Sequence, residues 1–305
     1  MGMHTKQFQI LTDGELAWSL MTDVFTPDGR NGLAAPFFEY ALTSPWQDKT
    51  YLRLNRFWLT GEEPAAFLFY EDDPNRLHFV LRPGYEALAG AMIDYAETAF
   101  PAFDEPRELV LNQGQKALIE AAEARGYEVV YRKDCKVFNF STGRLSHPLP
   151  EGYHFVDPDQ VDPLKAARCL WEGFNGDQGP FIGWETPGTG PHGLYQNVLG
   201  TALSPSPHAT NEHTVVIADE DGDYVCFAGM WWVEKNKLAY LEPLCTVPEH
   251  RHKGLAAAAV SEHDRRLRPL GARLMTGGVN DFYRRVGYRD AVVTLHFAKI
   301  GKEAE

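Results

Sequence analysis

The ten residues from Val247 to Ala256, which read VPEHRHKGLA, decide how the rest of this chain is interpreted. Before them, residues 238–247 are apolar and rich in β-forming side chains. After them, residues 254–268 have the composition of a helix, which Pro269 ends. The stretch therefore predicts a strand, a tight loop and a helix N-terminus. Such a turn presents free backbone N–H groups and the positive end of the helix dipole, which together favour an anion.

Arg251, Lys253 and Gly254 give this loop the chemistry of a phosphate site. Gly254 permits a positive φ and lacks the Cβ that would hold a phosphate away from the backbone. Arg251 and Lys253 add positive charge. The sequence contains neither G-x-x-x-x-G-K-[ST] nor G-x-G-x-x-G, so this is neither a Walker loop nor a dinucleotide fingerprint. An ordinary strand-to-helix turn is the alternative if nothing else in the chain agrees.

Composition places the chain among globular proteins that bury large cores. It has 305 residues, of which 44% are hydrophobic and 23% charged, which is typical of two domains of ordinary size. A net charge of −13 argues against general nucleic-acid or anionic-membrane binding. The sequence shows no apolar run of transmembrane length and no signal-peptide core near its first residues. We therefore expect a cytoplasmic protein without nucleic-acid or membrane partners.

The cysteines and histidines do not form a metal motif. His250 and His252 lack the carboxylate spacing of a metal site, and ordinary loop histidines are the better interpretation. The cysteines are far apart in the sequence and include no C-x-x-C, so we expect reduced thiols, no zinc knuckle and no metal cofactor. They are Cys135, Cys169, Cys226 and Cys245.

Apolar periodicity and turn residues predict the same order of elements twice. Residues 5–142 read as two helices, three strands, a helix, a strand, a helix and a last pair of strands at 127–131 and 136–140. After a linker at 144–150, the second half repeats this order, with its second helix at 194–203. Internal duplication is the simplest explanation, and two unrelated α+β domains are the alternative.

Three pieces of the second half resemble the GNAT acetyltransferase superfamily. Residues 251–256, RHKGLA, satisfy the pattern [QR]-x-x-G-x-[GA] of its coenzyme A pyrophosphate loop. Residues 270–272, LGA, resemble the start of the strand that follows its helix. Residues 280–288, NDFYRRVGY, resemble its FYEKLGF end, although the usual N-x-x-A spacing before the tyrosine is missing. The order and spacing of these pieces are more specific than the loop alone.

This resemblance implies an α/β fold of mixed α+β type, in which two GNAT-like domains follow one another in tandem. Each would be a mostly antiparallel twisted sheet flanked by helices. We expect a degenerate GNAT-like domain at 1–143 and an acetyltransferase domain that binds acetyl-CoA at 151–305. The first half is interpreted as degenerate because residues 81–86 lack the loop pattern and Ala122 stands at the position that matches Tyr283.

The resemblance also implies which residues hold acetyl-CoA. In the family, the strand before the loop pairs its free edge with the pantetheine arm, and backbone N–H groups of the loop bind the pyrophosphate. Cys245 is interpreted as a buried strand residue rather than an acylated nucleophile, since no partner histidine is predictable. The predicted donor site is Leu244, Cys245, Thr246, Val247, Arg251, His252, Lys253, Gly254, Leu255 and Ala256.

Tyr283 and Glu242 are the catalytic residues that the resemblance implies. A phenol of pKa about 10 suits protonation of a leaving thiolate of pKa about 8.5, whereas the alternative is a tyrosine that only packs one helix face. Glu242 matches the strand carboxylate that acts as a base in many family members, and a solvated or paired carboxylate is the alternative. Pro243 removes a hydrogen-bond donor from the strand, which predicts a bulge or splay.

The expected activity is transfer of an acetyl group from acetyl-CoA to a primary amine of a small molecule, by direct attack in a ternary complex. Residues 171–184, WEGFNGDQGPFIGW, lie where family members shape the acceptor pocket. A non-catalytic acyl-CoA or metabolite-binding module and an enzyme that acylates a protein amine stay open as alternatives. The sequence identifies neither the acceptor nor the oligomeric state.

Overall fold

Two compact units make up this chain. The first contains the residues up to Leu42 together with Gln47–Cys135, and the chain returns to it from Ala291 onward. The second contains Lys136–Asp290 together with Thr43–Trp46. The predicted helix at 194–203 and most of the predicted acceptor segment lie outside the described residues. The computed structural model describes residues 2–44, 46–101, 105–176 and 206–299.

The elements of the first unit form one mixed sheet with helices packed on it. They are β1 (Met3–Gln7), α1 (Gly14–Val24), α2 (Ala35–Thr43), β2 (Arg56–Thr60), β3 (Glu63–Tyr70), β4 (Arg76–Leu81), α3 (Ala89–Ala99), β5 (Glu108–Asn112), α4 (Lys116–Glu123) and, much later in the chain, β12 (Asp290–Ala298). The strand order is β1-β2-β3-β4-β5-β12, and β4 with β5 is the parallel pair.

The second unit repeats this plan. Its elements are the end of β6 (Glu128–Asn139), from Lys136 onward, and then β7 (His154–Phe155), α5 (Pro163–Asn175), β8 (Val215–Ala218), β9 (Tyr224–Val233), β10 (Leu238–Thr246), α6 (Leu255–Leu267), β11 (Leu274–Thr276) and α7 (Asp281–Val286). The strand order is β6-β11-β10-β9-β8-β7, and β10 with β11 is the parallel pair. In each unit, parallel and antiparallel strands flanked by helices confirm the predicted fold class.

The last strands differ from the expectation in one respect. The two strands predicted at 127–131 and 136–140 are the single strand β6, because the polar residues Arg132–Asp134 stay extended instead of turning. β6 pairs with β11 through Val137–Asn139, whereas β12 pairs with β5 through residues 294–297. The end of β6 therefore pairs within the second unit and β12 pairs within the first, the reverse of what the order of the chain would give.

Separate hydrophobic cores hold the two units. In the first, the rings of Phe57 and Phe67 stack with centroids 4.2 Å apart, and both side chains are fully buried. In the second, the apolar sides of α5 and α6 and the inner residues of β8–β10 close around the fully buried Tyr288 and Ala239. Burial of this much apolar surface is the main favourable contribution to folding.

Residues 143–150, which we call the strap, lie along the outside of α6. The N–H of Leu145 donates to the carboxylate of Asp264 at 2.9 Å, and the N–H of His147 donates to the hydroxyl of Ser261 at 3.0 Å. The segment predicted as a linker therefore covers polar side chains of the helix, and both acceptors are buried. Satisfying polar groups in this way removes the cost of burying them.

Candidate active site

The site is built where β10 leaves its regular pairing with β9. The register shifts between Leu241 and Leu244, so Glu242 and Pro243 together oppose a single residue, Gly229. The Glu242–Pro243 peptide bond is cis. A Cβ on Gly229 would lie 2.4 Å from the carbonyl oxygen of Glu242. Only glycine therefore fits opposite this bulge, which Pro243 led us to expect.

β10 and β11 separate after a short parallel contact. Their pairing covers only Leu238 and Ala239 within the described residues, and the N–H of Leu241 is then taken by the hydroxyl of Thr276 at 2.8 Å. Further along, residues 244–246 still pair with β9 on the other edge of the strand. Beyond this short contact, the edge of β10 on the side of β11 is thus a row of main-chain groups that do not pair with β11 and that lie beside an opening.

Cys245 packs against the helix α5 and is buried. A Cβ on Gly173 would lie 2.6 Å from the sulfur of Cys245, and this sulfur lies 3.7 Å from the carbonyl oxygen of Cys169. The side chain thus lies in the unit's core. This position favours the interpretation as a buried strand cysteine over that of a nucleophile.

The loop after β10 is held by side chains on both sides. Val247 N–H continues the pairing by donating to Val225 O at 3.0 Å. The ring Nδ1 of His250 lies 2.9 Å from the hydroxyl of Tyr153. His252 adopts a left-handed φ of 62°, which is uncommon for a residue with a side chain. These contacts fix a sharp change of direction before α6.

The guanidinium of Arg251 stabilises this loop through hydrogen bonds to the main chain and is not wholly directed to solvent. Its Nε donates to the carbonyl oxygen of Thr246 at 3.2 Å, and its Nη2 donates to that of Gly173 at 2.9 Å. The guanidinium therefore joins the end of β10 to the end of α5. The sequence had suggested only a charge for phosphate. The structure gives Arg251 a positioning contact that a point charge such as lysine cannot reproduce with both acceptors.

Gly254 caps α6 and leaves its N-terminus open. Its φ is +91°, a conformation that favours glycine, and a Cβ there would meet only Pro150 of the strap, at 3.9 Å. His252, Lys253 and Gly254 are exposed, whereas Leu255 is buried. The first backbone N–H groups of α6, from Leu255 and Ala256 onward, therefore face accessible space, which fits the predicted anion site.

Glu242 is a half-buried carboxyl with a strongly shifted pKa. Burial raises its pKa to about 7, and no cationic neighbour in the described part of the chain lowers it again. A carboxyl with this pKa is part ionised at neutral pH, which is the condition that a general base requires. Perturbed carboxyls of this kind concentrate at functional sites.

Tyr283 lies on the short helix α7, and the charge of Glu242 affects the pKa of its phenol. Burial, and after it the carboxyl of Glu242, raises the pKa of the Tyr283 phenol to about 12. The ring packs on two glycines, since a Cβ on Gly277 or Gly278 would lie 2.7 or 2.8 Å from it. Asn280 caps α7 by accepting from the N–H of Phe282 at 3.1 Å. The two predicted catalytic residues thus lie near enough for the Glu242 carboxyl to affect the Tyr283 phenol.

The strap also contacts α7. Nε2 of His147 lies 3.0 Å from the carbonyl oxygen of Val286, and because a carbonyl only accepts, this ring nitrogen carries the proton. A Cβ on Gly287 would lie 3.1 Å from the side chain of Leu145. The strap therefore joins the helix that starts at the open loop to the helix that carries Tyr283.

Sequence reasoning missed the small residues that shape this site. Gly229, Gly277 and Gly278 are required by close approach rather than by turns. Their signals were a glycine inside a predicted strand and a glycine pair before a predicted helix. The strap gave no such signal, because its contacts are with residues far away in the sequence.

The matching place in the first unit is filled by its own chain. Asn31 accepts the N–H of Leu81 at 2.9 Å, beyond the last residue of β4 that pairs with β5. A Cβ on Gly32 would lie 2.9 Å from the carbonyl oxygen of Phe79. The side chain of Asn112 donates to the carbonyl oxygens of Gly29 and Gly32 at 3.1 and 3.3 Å. The separation of β4 and β5 is therefore occupied by the loop between α1 and α2.

The turn before α3 is also satisfied internally. The carboxyl of Glu86 accepts the N–H of Gly84 at 2.9 Å, and this bond lowers the pKa of the carboxyl. In the first unit the carboxylate of Glu86 thus binds to the turn before the helix, whereas the corresponding turn before α6 in the second unit is open. Ala122, which stands where Tyr283 stands in the second unit, is fully buried in α4.

A groove of about 690 Å³ lies elsewhere on the second unit. Lys165, Arg168 and Asp223 line it together with residues 247–250, but neither Glu242 nor Tyr283 does. Lys165 already donates to the carbonyl oxygen of Gly222 at 2.8 Å. The groove reaches the start of the loop and not the pair of titratable residues.

The comparisons with known proteins agree with the fold and with part of the site. A family model described as an acetyltransferase (GNAT) domain matches residues 211–290. These residues run from just before β8 to the first residue of β12. No curated protein sequence matches the chain. None of the helices within the described ranges combines the length and the apolar character that crossing a membrane requires.

Solved structures of the same fold cover nearly the whole chain. A tandem GNAT protein from the clavulanic acid biosynthesis pathway is 12% identical, with a TM-score of 0.56 over 99% of this chain and 100% of that one. A GCN5-related N-acetyltransferase from Sphaerobacter thermophilus is 14% identical, with a TM-score of 0.54 over 97% and 94%. The C-terminal domain of a putative lysylphosphatidylglycerol synthetase from Agrobacterium fabrum is 12% identical, with a TM-score of 0.53 over 94% and 93%.

Proposed function

We propose, from the GNAT acetyltransferase domain that residues 211–290 form, that this chain transfers an acetyl group from acetyl-CoA to a primary amine of a small molecule. The observation that carries the proposal is that Glu242, in the bulge of β10, and Tyr283, which packs on Gly277 and Gly278 just after β11, both belong to the region where these two strands separate. One is a carboxyl with a pKa of about 7, and the other is a phenol whose pKa that carboxyl helps to raise.

The donor would be held by main-chain groups of the second unit. The free edge of β10 at Leu244, Cys245, Thr246 and Val247 suits pairing with an extended amide-containing arm. The N–H groups at the start of α6 suit a pyrophosphate. The loop residues Arg251, His252, Lys253, Gly254, Leu255 and Ala256 complete the proposed donor site. The side chains of Arg251 and Lys253 would act as a brace and as a charge, respectively.

Glu242 would take the proton of the attacking amine in the ternary complex. As the bond between the amine nitrogen and the acetyl carbon forms and the carbon–sulfur bond breaks, the sulfur gains negative charge. Tyr283 would donate a hydrogen bond to that sulfur. Because a phenol of pKa about 12 is a weaker acid than a thiol of pKa ~8.5, the proton that finally neutralises the thiolate would come from Glu242 through the Tyr283 hydroxyl.

We assign the donor site to residues 151–305 and propose that residues 1–143 form a degenerate GNAT-like domain. The filling of the first unit's strand opening by Asn31 and Gly32 supports this division, as does the internal bond between Gly84 and Glu86. The proposal predicts a single acetyl-CoA site for each chain.

Calorimetry and a thiol-release assay test this function. Acetyl-CoA should bind with one site per chain, and Gly254→Glu should abolish binding by placing a carboxylate in the open anion site. Free coenzyme A thiol should appear when acetyl-CoA is mixed with a panel of amines and not without them. Binding without amine-dependent release would instead support a non-catalytic binding module. Release only with a peptide amine would support acylation of a protein.

A further inference from the structure

The opening between β10 and β11 ends, on its inner side, at the side chain of Thr276. The parallel contact of the two strands stops at Ala239 and Met275, and Thr276 is the last residue of β11. Its hydroxyl oxygen accepts the N–H of Leu241 at 2.8 Å. A side chain thus occupies the place where a main-chain carbonyl would accept this N–H if the parallel pairing continued. Thr276 therefore marks how far the opening reaches between the strands.

The first unit closes the inner end of its matching opening in a similar way. There the side-chain amide of Gln115 donates to the carbonyl oxygen of Phe79 at 2.9 Å, just beyond the parallel contact of β4 and β5. In the second unit the hydroxyl of Thr276 bonds the main chain of Leu241. In both units the strands separate at a point where a side chain bonds the main chain. Because this closure is a side chain, its size sets the depth of the opening.

The proposed mode of donor binding brings the acyl group to this inner end. With the pyrophosphate at the start of α6 and the extended arm along residues 244–247, the thioester lies nearer the start of β10, beside Glu242. Tyr283, the proposed hydrogen-bond donor to the sulfur, packs on the glycine pair 277–278, which follows Thr276 directly. The carbons of the acyl group that lie beyond its carbonyl are then directed toward the side chain of Thr276.

We propose that Thr276 determines the specificity for the acyl donor, because its side chain leaves space for an acetyl group and excludes butanoyl and longer groups. This inference rests on the proposed function. The bonds that form and break are the same for every chain length: the amine nitrogen bonds to the carbonyl carbon, the sulfur leaves with the electrons of the carbon–sulfur bond, and the proton of the amine ends on the sulfur. Selectivity therefore arises from space, and each methylene that does not fit costs roughly 10- to 200-fold in kcat/KM.

Three substitutions separate the size of the Thr276 side chain from its hydrogen bond. Thr276→Ala removes two heavy atoms, as many as butanoyl adds to acetyl, and should reduce the preference for acetyl-CoA over butanoyl-CoA at least about tenfold. Thr276→Val keeps the volume but frees the N–H of Leu241, so stability should fall while the preference stays. Thr276→Ser keeps the bond and loses one methyl group, so the preference should fall less than in Thr276→Ala. Thr294→Ala is the control, because this hydroxyl bonds Asn112 at 3.1 Å between strands of the first unit, and the preference should not change.

Calorimetry with acetyl-CoA and butanoyl-CoA, and thiol-release kinetics with an accepted amine, measure this preference. The wild-type protein should prefer acetyl-CoA at least about 100-fold in kcat/KM and at least about tenfold in affinity. Equal affinity for the two donors would overturn the inference, and so would a preference that Thr276→Ala leaves unchanged or that Thr276→Val abolishes equally.

The binding measurement separates this inference from the proposed function. If acetyl-CoA binds more tightly than butanoyl-CoA through Thr276 but no amine releases the thiol, the donor specificity stands and the acetyl transfer fails. If the thiol is released with an amine and both donors serve equally well, the acetyl transfer stands and the donor specificity fails.

Discussion

Glu242 and Tyr283 interact although they belong to different elements: after burial, the Glu242 carboxyl is the cause that raises the pKa of the Tyr283 phenol to about 12. The carboxyl therefore makes the phenol harder to ionise. Burial alone raises the pKa of Glu242 to about 7. At neutral pH the carboxyl of Glu242 therefore gains and loses its proton readily, whereas the phenol of Tyr283 keeps its proton. Substitutions of the two residues should for this reason have different effects on pH dependence.

Replacing Tyr283 by phenylalanine should lower kcat by roughly 10²-fold with little change in the KM for acetyl-CoA, since the hydroxyl is needed mainly while the thiolate leaves. Steady-state kinetics with any accepted amine would measure this. Tyr288→Phe is the matched control, because Tyr288 packs 5.2 Å from Tyr283 and its buried hydroxyl has no hydrogen-bond partner in the described structure. An unchanged kcat in Tyr283→Phe would make Tyr283 a packing residue.

Replacing Glu242 by glutamine should lower kcat/KM at pH 7 by ~10²-fold, and part of the loss should return at higher pH as free amine accumulates. The wild-type protein should gain activity as pH rises through about 7, where Glu242 loses its proton. If Glu242 only binds the ammonium, KM should rise while kcat stays near the wild-type value. A pH–rate profile without any change in the variant would remove Glu242 from the site.

The same substitution should make the protein more stable at alkaline pH. Because the folded state raises the pKa of Glu242 from 4.5 to about 7, the unfolded chain releases this proton first, and ionisation destabilises the fold increasingly as pH rises from 4.5 to 7. Glu242→Gln should therefore increase the free energy of unfolding by about 1–3 kcal/mol at pH 8 and by little at pH 4.5. Denaturant titrations at both values check this. An equal effect at both would contradict a buried, ionisable Glu242.

Alanine at Gly254 should weaken acetyl-CoA binding at least about tenfold, because a side chain there strains the cap and narrows the space over the first N–H groups of α6. Gly271, beyond the other end of this helix, is the matched control. Its φ of +83° is almost the same as the +91° of Gly254, and a Cβ on Gly271 would meet nothing within 4 Å. Gly271→Ala should lose similar stability and keep full affinity. Equal losses of affinity would show that only strain matters.

Lysine at Arg251 should raise the KM for acetyl-CoA about three- to tenfold with kcat nearly unchanged, because it cannot bond both Thr246 and Gly173. The loss should persist at high salt, since it arises from loop position. Lys253→Ala removes an exposed charge, and its effect should shrink between 0.05 and 0.5 M salt through screening. The KM measured at both salt concentrations distinguishes a brace from a charge, and a salt-sensitive Arg251→Lys would contradict the bracing role.

Local chemistry in the sequence was enough to predict most of the described elements and the loop. A β-rich run, a glycine at positive φ and a helix stop follow from short-range preferences, and Gly254 fulfils this expectation. Pro243 likewise indicated the irregularity that the register shift displays. Glu242 and Tyr283 lie near each other because the order of elements fixes which strand and helix become neighbours.

Contacts between distant parts of the chain could not be predicted in this way. Periodicity states which face of a strand is buried but not which strand pairs with it, so the partners of β6 and β12 were missed. Arg251 looked like a phosphate ligand because its type and position fit, whereas its acceptors are carbonyls on another element. The strap looked like a linker because its proline-containing composition carries no information about what it touches.

The pairing of β12 with β5 has a consequence for biosynthesis. Residues 108–112 leave the ribosome long before residues 290–298, and the whole second unit is made between them. The first unit must therefore wait with one edge of its sheet unpaired while the second unit is synthesised and folds. A nascent chain arrested before residue 290 would expose that edge, and it is the form of this protein in which we expect aggregation to begin.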